Sequence, residues 1–185
     1  MTKVIAIVGM PGAGKSEASN FFTEKGFERL YFGSVVIDGL KEESLERTAE
    51  NEKQYREKIR KELGMAAVAI KMFPGIQEEA DKSKKIVLDG LYSWEEYLFL
   101  KEKLPSLILL CIYAKPNIRY QRLSERQERT FSKEEARKRD VDEIEGTNKG
   151  GPIAIADYLI KNEGTKEDFM KELEKFLNLF ENDKL

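Results

Sequence analysis

Two stretches of the chain, Val4–Val8 and Leu107–Ile112, are apolar at every position. A strand so uniformly apolar has to be covered on both faces, which is the environment of a parallel sheet packed between helices. With their flanking residues these runs predict strands over Lys3–Val8 and Leu107–Tyr113, and shorter runs predict three more over Phe27–Phe32, Lys85–Gly90 and Tyr158–Lys161. Between the strands the period becomes helical. A helix over Glu17–Glu24 stops at Gly26, and Ser34 stands where it would cap a short helix over Val35–Glu43. Tyr55, Ile59 and Leu63 recur at helical spacing up to Gly64; Met65–Met72 then reads as a helical piece ending before Pro74, with a separate helix over Gly75–Lys82. Ser93 with Glu96, Ser132 with Glu135 and Thr165 with Asp168 have capping-box spacing, so a helix is expected directly after each. Pro116 suits the first turn of another helix. Phe169, Leu173, Phe176, Leu177 and Phe180 form an apolar stripe on the last helix, read as core packing, whereas Gly146–Pro152 reads as a glycine-rich loop with no chemistry of its own.

This alternation predicts an α/β, three-layer α/β/α domain around a five-stranded parallel sheet, with residues 1–185 as one domain. At 185 residues the chain can bury a substantial core. The span from 34 to 72 is all helical and longer than an ordinary crossover, which marks an inserted helical lobe.

Composition narrows the chemistry by exclusion. The chain has no histidine, which removes imidazole catalysis and the common zinc sites. Its single cysteine, Cys111, lies within an apolar strand, where a buried, inert thiol is expected. A net charge of −2 gives no global basic field, so no nucleic-acid partner is expected. No apolar stretch reaches membrane-spanning length and no signal-type run precedes the first strand, so a cytoplasmic protein with no membrane partner is expected.

Positive chemistry begins at Gly9-Met10-Pro11-Gly12-Ala13-Gly14-Lys15-Ser16, which fits G-x-x-x-x-G-K-[ST] between a strand and a helix. This is the phosphate-binding P-loop pattern: glycines let backbone N–H groups converge on an anion, and the following helix points its positive dipole end at the same place. The expected nucleotide-contacting set is Gly9, Pro11, Gly12, Ala13, Gly14, Lys15, Ser16 and Glu17, with Lys15 on the β- and γ-phosphates and Ser16 on Mg²⁺. Asp89 ends the third strand, where the metal shell takes a carboxylate, although an acid at a strand end also serves turn chemistry.

Six of the ten arginines fall within 119–139. Arg119, Arg122, Arg126 and Arg129 are spaced to share one helix face, and Arg137 and Arg139 follow on the next helix. With Glu125 and Glu128 interleaved, a solvated, salt-bridged helix accounts for the same pattern. Behind a P-loop, an arginine-rich lid over a polyphosphate accounts for it too.

Four motifs together, the P-loop at 9–16, D-G-L-Y-S at 89–93, the Arg139-Asp140 pair and A-D-Y-L-I-K-N-E-G-T at 156–165, resemble the nucleoside-monophosphate-kinase group of P-loop proteins. Within that group the chain is most similar to the archaeal-type adenylate-kinase-related family, also described as dephospho-CoA-kinase-like, and the resemblance runs nearly end to end. It implies a P-loop NTPase fold with ATP as donor and Mg²⁺ held by Ser16 and Asp89. It also implies Asn162 and Gly164 beside the adenine, an acceptor lobe over 34–72, and a lid over 119–139 whose Arg122, Arg126 and Arg139 act with Lys15 on the transferred group. Two positions depart from the pattern. Relatives usually read G-D-x-x-R after the second strand, where this chain has Gly33-Ser34-Val35-Val36-Ile37, and they carry an arginine after the strand-end D-G, where Tyr92 stands. The expected acceptor-binding residues are Ser34, Asp89, Gly90 and Tyr92, with Arg56 and Arg60 replacing the missing arginines or, alternatively, belonging to a salt-laced surface helix.

The activity so implied is ATP-dependent transfer of the γ-phosphoryl group to a nucleoside monophosphate or similar nucleotide, a small-molecule partner. Two alternatives stand beside it: a dephospho-CoA-type kinase acting on a ribose hydroxyl with Asp38 as base, and an ATP-binding regulatory switch without a small-molecule acceptor.

Overall fold

A computed structural model describes residues 2–82, 85–126 and 130–184, and of Ala49 the backbone alone. In chain order the elements are β1 (Lys3–Val8), α1 (Lys15–Glu24), β2 (Glu28–Tyr31), α2 (Gly33–Glu42), α3 (Ala49–Leu63), α4 (Ala67–Lys82), β3 (Lys85–Asp89), α5 (Trp94–Lys103), β4 (Leu107–Tyr113), α6 (Pro116–Ser124), α7 (Lys133–Thr147), α8 (Gly150–Ala154), β5 (Tyr158–Lys161) and α9 (Lys166–Glu181). The strands form one parallel sheet in the order β2-β3-β1-β4-β5.

Successive side chains of β1 point to opposite faces and meet different helices. Val4, Ala6 and Val8 join Ile86, Leu88, Leu109 and Cys111 under α2–α5, whereas Ile5 and Ile7 join Val87, Leu110, Ile112 and Ile160 under α1 and α9. Both faces are dry, which is why the strands need no polar alternation. The stripe on α9 is core as expected: Phe169, Leu173, Phe176, Leu177 and Phe180 all pack into the second cluster. Cys111 is buried and its thiol is pushed up to about 11 by burial, far from a reactive thiolate. Among the described residues no helix is long and apolar enough to cross a membrane.

Three expectations are corrected. Pro74 does not end a helix; α4 runs through it to Lys82. Val68, Met72 and Ile76 lie at i, i+4 and i+8 in the core while Pro74 is exposed, so the buried face is continuous across the proline. Packing of that face offsets the lost hydrogen bond. Ser34 is not a cap: α2 starts at Gly33 from Phe32, which is already helical (φ −59°, ψ −31°) and has no side-chain cap. Phe32 is fixed by its N–H bond to the Asp89 carbonyl (2.9 Å) and by its buried ring, so the strand passes directly into the helix. Finally, the glycine-rich segment contains the short helix α8, introduced by Asn148 in the left-handed conformation (φ 51°).

Candidate functional site

Register places the site before any side chain does. β1 and β3 are parallel neighbours with Ile7 opposite Asp89, so the loop after Val8 and the Asp89 carboxylate emerge at the same edge of the sheet. Here the strand order changes direction on either side of β1, and ligands of open parallel sheets bind at such an edge. In the loop, Gly9, Gly12 and Gly14 take φ of 143°, 79° and 107°. A Cβ at these positions would collide with the Ile112 carbonyl, the Arg119 carbonyl and the Asn162 amide, respectively. Only glycine permits this winding against its surroundings.

The loop carbonyls are held from outside. Lys15 Nζ donates to the Gly9 and Met10 carbonyls (2.8 and 3.2 Å), Arg119 Nη1 donates to that of Pro11 (3.0 Å), and Asn162 Nδ2 donates to that of Ala13 (2.9 Å). Peptide planes tied by their oxygens turn their N–H groups the other way, which builds an anion nest. Asn162 is therefore a brace of the loop; its backbone N–H bonds the Tyr113 carbonyl (2.7 Å). Gly164 is exposed in the adjoining turn. Glu17 and Ser16 are exposed at the start of α1, with Glu17 paired to Lys166 (3.2 Å).

Asp89 is almost fully buried and receives Arg29 on one oxygen, Oδ2, from both Nε (3.1 Å) and Nη2 (2.5 Å). Arg29 was not anticipated as its partner, because strand residues Arg29 and Asp89 carry no shared sequence signal. Among the described residues no group of three or more Asp, Glu, Cys or His clusters as a cage. Oxygen donors from Ser16 and Asp89 fit Mg²⁺ that travels with a nucleotide, which takes one or two protein oxygens and phosphate oxygens for the rest.

The arginines divide into different tasks. Arg119 does not face a ligand space: it is buried, forms a bidentate pair with Asp140 (2.9 and 2.6 Å), and also bonds the Ala114 carbonyl (3.0 Å). The Arg139-Asp140 pair is thus split, since Asp140 ties α7 back to α6 while Arg139 pairs with Glu143 (3.1 Å) and lies over the Phe131 ring. Arg122 reaches Asn162 (3.4 Å) and keeps a buried Nη1 with no partner among the described residues. Arg126 is exposed, with its pKa lowered by burial of its base and by the Arg139 charge; Arg137 is exposed too. Arg129 and Glu128 lie outside the described residues.

A cavity of about 520 Å³ opens between α2–α4 and α7. Arg56 and Arg60 both line it, with Arg47, Lys53 and Arg139, against the acids Glu52, Asp142 and Glu143. The departures from the family pattern, Ile37 and Tyr92, line the same space. Arg60 has a buried Nε without a partner among the described residues, and burial lowers its pKa. Ser34 and Asp38 instead line a separate depression of about 320 Å³, and Asp38 pairs with Lys41 there (3.2 Å). Neither lines the larger cavity, to which α2 gives Gly33, Val36 and Ile37 from its other face.

Glu96 fixes the wall that carries Tyr92. It is fully buried, and its Oε2 accepts from the N–H of Tyr92 (2.7 Å) and of Ser93 (3.1 Å). Burial raises its carboxyl to about 7, above the ordinary 4.5. The folded state then binds more protons than the unfolded state between pH 4.5 and 7, so this group lowers stability as pH rises through that window and is level above it. Glu96→Gln keeps an acceptor and removes the titration. In urea unfolding, the variant is expected to gain on the parent protein from pH 5 to pH 7.5, by at most about 1 kcal/mol per pH unit; a constant difference would refute the assignment.

One residue of the site escaped the sequence reading. Lys149 is 1% exposed, pairs with Glu143 and holds its ammonium 4.7 Å from the centre of the Tyr92 ring. Asn148, as a left-handed helix terminator, turns the chain so that Lys149 points inward, and an Asn after a helical run is the one signal that anticipates this. Burial and the Lys149 charge lower the Lys15 pKa to about 7. Lys149 is itself lowered by burial, and Glu143, which burial alone would raise, is held low by Lys149, Arg139 and Lys15.

A family model described as an AAA domain matches residues 5–145. A UPF0200 protein of Sulfurisphaera tokodaii is 33% identical over 179 residues, covering 96% of this chain and 97% of that protein. The crystal structure of TT1252 from Thermus thermophilus is similar at a TM-score of 0.68 with 19% identity, over 96% of this chain and 97% of that one. A dephospho-CoA kinase from Campylobacter jejuni is similar at a TM-score of 0.64 with 18% identity, covering 100% of both chains. At these identities the structural likenesses establish the α/β P-loop kinase-like fold.

Proposed function

The chain belongs to the AAA-domain family, in company with UPF0200 proteins, and from that premise we propose that it is an ATP-dependent, Mg²⁺-requiring phosphotransferase acting on a nucleoside monophosphate or similar nucleotide. The observation that carries the reading is a braced P-loop at the sheet edge where β3 ends in Asp89, with a cation-lined cavity walled by Tyr92 three residues on. Lys15 feels the charges of Glu143 and Arg139, and both of those residues line the cavity. Gly9–Ser16 bind the donor phosphates, and Ser16 and Asp89 would hold Mg²⁺, which would supply positive charge to the transferring group. Arg122, Arg126 and Arg139 of the 119–139 segment supply cations to the transferred group, and Arg56 and Arg60 supply them to the acceptor phosphate. The unpartnered Nη1 of Arg122 and Nε of Arg60 support these two roles. A phosphate acceptor is already ionised, so the protein's task is alignment and neutralisation, without a base.

Asp38, the base a hydroxyl acceptor would need, lines the separate depression, which favours a phosphate acceptor in this cavity. The test is ADP formation from MgATP with a panel of ribo- and deoxynucleoside monophosphates and dephospho-CoA. One monophosphate stimulating turnover supports the proposal. Stimulation by dephospho-CoA alone moves the reaction to a hydroxyl, and ATP binding with no acceptor effect leaves the regulatory switch.

A further inference from the structure

The charges beside the Tyr92 wall are unbalanced. Lys149 and Arg139 both pair with Glu143, and Lys15 feels these charges. Asp89 is matched by Arg29, whereas Glu96, whose carboxyl burial raises to about 7, acts on Lys149 through space. An ammonium has three donors, yet among the described residues Lys149 makes one hydrogen bond, to Glu143 Oε2, and one ring contact. A lysine kept for structure alone would be expected to satisfy more of its donors at 1% exposure. Glu143 has a second cation, Arg139, on its other oxygen, Oε1, so it stays paired when Lys149 leaves.

We propose that Lys149 is a catalytic residue: in the nucleotide-loaded site its ammonium moves from Glu143 to an equatorial oxygen of the phosphoryl group passing from ATP to the acceptor. The inference rests on the phosphotransferase reading above. In the step it serves, a phosphate oxygen of the acceptor forms the new bond to the γ-phosphorus. The bond to the β,γ-bridging oxygen breaks, and its electron pair leaves on ADP. No proton is transferred; Lys149 donates a hydrogen bond and keeps its charge. Burial lowers the pKa of both Lys15 and Lys149, and a neighbouring cation, Lys149 for Lys15 and Arg139 for Lys149, lowers each further; an arriving phosphoryl anion relieves that repulsion. The Tyr92 ring, at the place where relatives usually carry an arginine, gives the ammonium a face to rest on in the meantime.

The test compares binding of the Mg²⁺ complexes of ADP and of β,γ-imido-ATP by calorimetry, which needs no acceptor. Lys149→Met is expected to weaken imido-ATP at least tenfold and ADP less than threefold, so that ADP binding is the internal control for folding. Glu143→Gln frees the lysine and removes a repelling charge, and is expected to tighten imido-ATP. Opposite signs in two neighbouring variants do not arise from a general loss of structure. Equal effects on both nucleotides, no effect of Lys149→Met, or a weakening in Glu143→Gln would overturn the role of Lys149 alone. Should the unaltered protein bind neither nucleotide, the phosphotransferase reading falls and this inference with it.

Discussion

Lys15→Ala is expected to reduce acceptor-stimulated ADP formation by about 10²–10³-fold or more while leaving the protein folded. That range is the cost of removing one preorganised donor from a site of developing charge, and Lys15 is preorganised in a particular way. Its ammonium is docked on the Gly9 and Met10 carbonyls (2.8 and 3.2 Å), partly withdrawn from water and under repulsion from Lys149. Part of the desolvation of this charge is thus incurred on folding rather than when a phosphate arrives. Structure loses little, since the Met10 carbonyl still accepts from the N–H of Ala13 (3.2 Å), and Arg119 and Asn162 still grip the loop. A coupled assay beside a thermal melt checks both halves. Retention of more than a tenth of the turnover would mean that phosphoryl transfer does not occur at this loop.

The frame of this site was readable in the chain because local physics dictates it. Uniformly apolar strands, a glycine pattern that permits only one winding, and three capping boxes are all short-range facts. Ser93 with Glu96, Ser132 with Glu135 and Thr165 with Asp168 each form the reciprocal bonds their spacing announces. The three-layer arrangement follows from covering both faces of the sheet.

What was not readable is pairing across the fold. Helical spacing groups Arg119 with Arg122 and Arg126 but does not say which side of the turn is buried. In the fold Arg119 points under the loop, and α6 ends at Ser124, so Arg126 lies beyond the helix and exposed instead of sharing its face. The same limit hid Arg29 on Asp89, 60 positions apart, while Lys149 reaches Glu143 only six positions back because the left-handed turn at Asn148 folds the chain inward, a bend that spacing alone does not announce. Pro74 failed for another reason: a local rule about hydrogen bonding was outweighed by the apolar face of α4. Ser34 failed because Phe32, fixed by the Asp89 carbonyl, leaves the helix no need of a side-chain cap.

The division among the arginines yields the second large effect. Arg119 and Asp140 are buried, at 5% and 11% side-chain exposure, and hold each other through two hydrogen bonds, while Tyr120 adds a third to Asp140 (2.9 Å). Removing one member strands the other charge, which typically costs about 3–5 kcal/mol. For a chain of this size, Asp140→Ala is therefore expected to lower Tm by about 6–20 °C. Arg119→Met loses in addition the grip on the Pro11 carbonyl, so its surviving folded fraction should bind ATP more weakly than Asp140→Ala does. Replacing both, as Arg119→Met with Asp140→Leu, is expected to cost less stability than either change alone, because no buried charge is left unpaired. Arg137→Ala, on an exposed turn of α7, should move stability by no more than about 0.5 kcal/mol. A lid arginine behaves the opposite way, with turnover lost and Tm unchanged. If Arg119→Met showed that pattern, its bond to Asp140 would be a resting position rather than a brace, and the loop would owe its shape to Asn162 and its glycines alone.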